Sequence, residues 1–144
     1  MRGANWRLFR TRFRSEVRIA RSLTSVLFGF AVFFAMVRML AAFPGSLEAN
    51  GPLLNYLLLS VTWTIAAAIL GGYITARLAA SHEFPHAAAL GLLMVAMSFV
   101  SMRQEGISQP DWYQVTIAGC GPISAMIGAA IRLLTKRRQT SNGH

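Results

Sequence analysis

Residues 81–86 read SHEFPH, and within them His82, Glu83 and His86 stand in the H-E-x-x-H spacing. On one helical face that spacing offers zinc two imidazoles a turn apart, with a glutamate beside them to take a proton from metal-bound water. The chemistry it suggests is that of a metalloprotease. A continuous helix must run through both histidines, and Pro85 argues against one. Proline has no N–H to give to the Ser81 carbonyl, its ring crowds that carbonyl, and it drives Phe84 away from helical dihedrals. Proline is favoured in the first turn of a helix, so the sequence predicts Pro85 at a helix start, with His82 and Glu83 in the turn before it. The two imidazoles then belong to different elements. A third ligand is also missing: the acids further along are Glu105 and Asp111, on the far side of the membrane in the topology below, and His144 lies on a polar tail. The preferred reading is loop and cap, with no metal, cofactor or catalytic residue. A looser cytoplasmic metal or proton site through His82, Glu83 and His86 is the alternative.

The elements that position these residues follow from composition. The 144 residues are 54% hydrophobic and only 13% charged, too apolar for an ordinary water-soluble domain. Four apolar runs of about 17–24 residues each match a hydrocarbon core of roughly 30 Å at 1.5 Å per residue. Backbone polar groups go unpaired in lipid unless the segment is helical, and the alternation of a membrane strand is absent. The expected fold is an all-α polytopic membrane protein, with transmembrane helices over 22–43, 53–80, 85–102 and 112–134, preceded by an interfacial amphipathic helix in a basic segment, 1–21, and followed by a basic and polar tail, 135–144. The first run resembles a secretory signal in its flanks. It is longer than the usual 7–15 apolar residues of a signal, and Arg38 interrupts its end, so it is read as a retained anchor. An organelle transit sequence, with an organelle inner membrane as destination, is the alternative.

Orientation follows the cations. Of the 14 Lys and Arg, seven arginines lie between Arg2 and Arg21; Arg77 follows the second run; Arg132, Lys136, Arg137 and Arg138 close the fourth; Arg103 alone lies in a loop of the other side. This asymmetry predicts both termini and the SHEFPH loop in the cytoplasm of a bacterial inner membrane protein. The net charge of +9 is thereby a topology signal. Nucleic acid is not an expected partner, because nothing beyond charge offers base reading or stacking. Cys120 is alone, which rules out an internal disulfide and suits a small packed side chain.

In the first 21 residues Trp6, Phe9, Phe13, Val17 and Ala20 fall on one stripe at 100° per residue. Arg10 and Arg21 border it, with Arg7, Arg14 and Arg18 further round, so rings would enter the headgroup boundary while guanidinium groups stay wet. An in-plane helix binding anionic headgroups is expected, at roughly 1 kcal/mol per basic residue.

Lipid tails are as apolar as leucine, so the spans must be held by close backbone approach. The second carries small residues at four-residue spacing: Ser60, Thr64, Ala68, Gly72, Ala76 and Ala80. The fourth carries Thr116, Cys120, Ser124 and Gly128 beside Gly121, Ala125 and Ala129. These two spans are predicted to pack on each other, within one chain or between chains. Gly29, with Ala87 and Gly91, offers shorter contacts of the same kind, while Phe33, Phe34, Leu57 and Leu92 are free to face lipid. Trp112 and Tyr113 read as an outer aromatic belt, opposite Trp6. Pro122 predicts a bend beside Gly119 and Gly121, and Thr116, Ser124 and Ser98 a polar cluster near it. Arg38 is the ionisable residue well within a span. Its depth, about 7.5 Å from residue 43, lets it snorkel outward towards Glu48, Glu105 or Asp111; an anion or coupling site is its functional reading, as a broken helix is that of Pro122.

ILGGYI (69–74) is echoed by MIGAAI (126–131), and FGF (28–30) by LGL (90–92), which suggests two tandem hairpins of one orientation. GGYITARLA, from Gly71, followed by His86, Ala87 and Gly91, resembles a pattern of small, uncharacterised bacterial four-helix membrane proteins. That resemblance covers about 25 residues, carries no catalytic residues, and implies an integral membrane protein in which His86 starts a helix. The expected role is a non-enzymatic anchoring, assembly or accessory subunit, binding anionic lipid or partner membrane proteins as a homo- or hetero-oligomer. An oligomeric pore or small-solute transporter is the alternative and a metalloprotease the remote one. Without intramembrane acids proton coupling is disfavoured, and without a water-activating constellation so is catalysis.

Overall fold

A computed structural model describes residues 4–41, 53–79, 83–102 and 110–141, with side-chain surroundings from Ala20 onward. The described residues form four helices and no strand: α1 (Ala4–Ala41), α2 (Leu53–Ala79), α3 (Glu83–Met102) and α4 (Asp111–Ser141). Each contains a stretch long and apolar enough to cross a membrane, at Ala20–Leu40, Leu54–Ala79, Glu83–Ser101 and Asp111–Gln139. The chain is a multi-pass, all-α membrane protein.

Three boundaries differ from expectation. α1 is one helix of 38 residues, about 57 Å long, with no break marking a separate interfacial helix before the first span. The side chains of Trp6, Arg7, Phe9, Arg10, Phe13, Arg14 and Arg18 lie outside the described set. α3 opens two residues earlier than predicted, at Glu83, with Pro85 still in the first turn, where its missing N–H costs no helical bond. α4 runs on to Ser141, so most of the expected tail is helical.

The most extensive contact joins α2 to α4, which answers the question the small-residue rows left open: they pack within one chain. Ser60, Thr64, Ala68, Gly72 and Ala76 are all buried, as are Gly121, Ser124, Ala125, Gly128 and Ala129; Thr116 and Cys120 are only half-buried, and Ala80 lies outside the described residues. The approach is backbone to backbone. A Cβ on Gly72 would sit 2.7 Å from the Ala125 Cα, and one on Gly128 would sit 2.7 Å from the Tyr73 nitrogen. Ser60 meets Tyr113 and Gly72 meets Ala125, both 53 positions apart, so the two helices run parallel and in register. The neighbouring glycine turns elsewhere: a Cβ on Gly71 would lie 3.0 Å from the Gly29 carbonyl oxygen on α1. Successive helical residues are separated by about 100°, and the Gly71–Gly72 pair uses that rotation to let two helices close on α2 at one level.

α3 completes the bundle against α4, where a Cβ on Gly91 would lie 3.0 Å from the Pro122 Cα. Each hairpin thus has a glycine in its first helix. The levels differ, since Gly29 faces Gly71 and Thr75 whereas Gly91 faces Pro122, so the echo in sequence is only partly an echo in packing. Ala68, Leu90, Met94 and Ala125 form the central core, with Val26, Phe30 and Phe33 against it, and Ala76, Ala87 and Ala129 form a second layer. Phe34 and Leu92 are exposed as expected; Leu57 is buried and Phe33 partly so, which corrects their assignment to lipid. Gly119, unlike the seam glycines, has open space where a Cβ would project, with nothing within 4 Å. Gly119→Ala is therefore expected to leave thermal unfolding in detergent unchanged or to raise it slightly, through helix propensity alone.

Candidate functional site

Glu83 to His86, the described residues of SHEFPH, lie at the end of the bundle where α2 ends, α3 begins and α4 ends. Glu83 is in the first turn of α3, not in the turn before it, and its side chain is 6% exposed. The Lys136 Nζ donates to Glu83 Oε1 at 2.8 Å, tying α3 to α4. The other oxygen, Oε2, is buried without a hydrogen bond, as is the Nε of Arg132, one turn before Lys136 on α4. Three residues along α3, His86 is hydrogen-bonded through Nε2 to the Ser22 hydroxyl, tying α3 to α1. Glu83 and His86 therefore stitch α3 to two different helices. His82 lies outside the described residues, and among those described no three His, Cys, Asp or Glu side chains converge on a metal position.

The other candidates are dispersed. Arg38 is exposed in the last turn of α1, and Asp111 is exposed at the start of α4, while Glu48 and Glu105 lie outside the described residues. Pro122 stands inside α4, which continues helical on both sides of it, and its ring occupies the space left by Gly91. Between the two ends the interior is filled by Ala68, Leu90, Met94 and Ala125, all buried. Of the predicted polar cluster, Ser98 and Thr116 donate their hydroxyls to the carbonyls of Met94 and Trp112 on their own helices, and Ser124 is buried. No family model, curated protein or solved structure matches the chain.

Two polar ties were not anticipated. Trp63 Nε1 donates to the Met36 carbonyl at 2.8 Å, linking α2 to α1. Tyr113 is buried, with its hydroxyl 2.7 Å from that of Ser60, so of the expected belt pair only Trp112 is exposed. The parallel register was the missing signal, since the separation that sets Gly72 on Ala125 also sets Ser60 on Tyr113. Tyr113→Phe is expected to destabilise the bundle by about 1 kcal/mol, read by denaturation in mixed micelles, because Ser60 loses its partner in an apolar surround.

Proposed function

We propose that this protein is a small bacterial inner membrane protein that works without catalysis, as an anchoring or assembly subunit with both termini in the cytoplasm. The observation that carries this reading is the gathering of cations at one end. Arg21, Arg77, Arg132, Lys136, Arg137 and Arg138 all belong to the end of the bundle that carries Glu83 and His86. Such an end suits anionic headgroups or an acidic partner at the cytoplasmic surface. The arginines of residues 1–21 add to the same surface in this reading.

Two features weigh against the pore. The small-residue seams that would join copies of the chain are occupied inside it, and the centre of the bundle is packed with the buried side chains of Ala68, Leu90, Met94 and Ala125. The outward faces instead carry large apolar side chains such as Leu27, Phe28, Leu92 and Val115, suited to lipid or to a partner's helices.

Affinity capture of the intact chain in mild detergent, with mass spectrometry, tests the role. A foreign membrane subunit at fixed stoichiometry is the expected result, and a homo-oligomer alone that conducts solute in vesicles would replace this reading with the pore. Reporter fusions after Gly51, Glu83 and Glu105 test orientation, with a cytoplasmic signal expected only at Glu83.

A further inference from the structure

At the end opposite Glu83 and His86 a cleft of about 320 Å³ is lined by all four helices. It lies between α1 and α3, which are bound together at the other end through Ser22 and His86. On α4 its lining runs from Tyr113 to Gly121, a depth of about 12 Å at 1.5 Å per residue.

The lining combines two chemistries. It includes Phe30, Phe33 and Phe34, with Phe30 and Phe34 nearly parallel at 24° and 6.2 Å between centroids, and the methionines Met94 and Met97. Aromatic faces and methionine sulfurs both contact rings favourably. The lining also includes hydroxyl oxygens at several depths, from Ser60, Thr64, Ser98, Ser101 and Tyr113. Thr64 and Ser98 donate to backbone carbonyls of their own helices, so towards a ligand they can only accept. Within the Ser60–Tyr113 pair one hydroxyl donates to the other, which leaves one O–H to give away. Gln114 adds an amide with both capacities.

Among the described residues of this lining none is charged, and a charge brought to membrane depth without a partner is strongly disfavoured, so the part of the ligand that these residues enclose is neutral. A saturated acyl chain carries oxygen at one end only and would lay methylenes along the deeper hydroxyls. A flat ring with oxygens on opposite edges can, as the quinol, donate to Thr64 or Ser98 and, as the quinone, accept from the Ser60–Tyr113 pair and the Gln114 amide, while its faces meet phenylalanine. The geometry points to a binding site for a neutral oxygenated ring with an apolar tail, the quinone and quinol class. The site requires only that the bundle stand in lipid and is independent of the anchoring role.

The test uses the full chain in lipid nanodiscs, with a benzoquinone bearing a single isoprenyl unit as probe and tryptophan quenching as readout, since Trp112 adjoins Tyr113. Gly121→Val fills the floor of the cleft without a backbone clash, because a Cβ there would meet Met94 Sδ at an ordinary 3.7 Å. Saturable quenching is expected, weakened at least about tenfold by Gly121→Val and up to about tenfold by Tyr113→Phe, with a cooperative melting transition retained by the former. Quenching that rises linearly and equally in all three proteins would mean partition into lipid and overturn the assignment. So would native mass spectrometry showing a phospholipid retained by the unaltered chain, lost in Gly121→Val and not displaced by the probe.

Discussion

Gly72→Leu and Gly128→Leu are each expected to destroy the native packing of α2 on α4. A β-carbon at either position would collide with backbone of the facing helix, the Ala125 main chain in one case and the Ile69 and Tyr73 main chain in the other. Backbone cannot swing aside as a side-chain tip does, so the helices must separate and surrender the buried alanines on both sides of the contact. Overpacking of a tight core commonly costs about 1–3 kcal/mol, and a clash with main chain at the largest interface should reach or exceed the upper end. Even alanine at these sites should be costly, in contrast to Gly119→Ala. Loss of a cooperative unfolding transition in detergent, with membrane insertion retained, is the expected pair of results. Native-like melting of either leucine variant would show that α2 and α4 do not meet in this register.

Lys136→Met and Glu83→Gln are expected to differ although they break the same ion pair. Glu83 is almost wholly buried, while Lys136 is 52% exposed. Removing the lysine leaves a carboxylate in a poorly solvated place, with its second oxygen already unpartnered, whereas Glu83→Gln puts a neutral amide in that place and leaves an ammonium that is half-exposed to water in any case. The start of α3 gives Glu83 some support of its own through its free N–H groups, and the exposure of Lys136 weakens the pair further. About 2 kcal/mol is expected for Lys136→Met and under about 1 kcal/mol for Glu83→Gln. The double variant should resemble Glu83→Gln alone. Equal losses in the two single variants would mean that Glu83 is solvated and that the pair is a surface contact.

The fold was legible because its cause is solvent: about twenty apolar residues in a row allow little else, and four such rows declare four spans. The seams were legible for the same reason, as small residues at four-residue spacing have no better use between helices than close approach. Helix ends were less so. Nothing in VRIARSLTS halts a helix, and the expected change of element near Ser22 rested on polarity alone, so α1 runs straight through. Glu83 entered its helix because the first N–H groups welcome a carboxylate, a preference Pro85 does not contradict. The partners of Glu83, His86 and Tyr113 depend on which helices adjoin and at what level. Such facts follow from the whole packing and leave no mark at those positions.

The parallel pairing of α2 with α4 also bears on biogenesis. These helices are separated in the chain by α3, so their seam joins segments that enter the bilayer at different moments. α2 can settle on α1 through Gly71 and Gly29 as soon as the first hairpin is inserted, yet the neighbouring Gly72 must wait beside lipid until translation delivers Ala125. The half-built protein therefore carries a ready groove on α2, and any other membrane helix offering small residues at that stage competes for it.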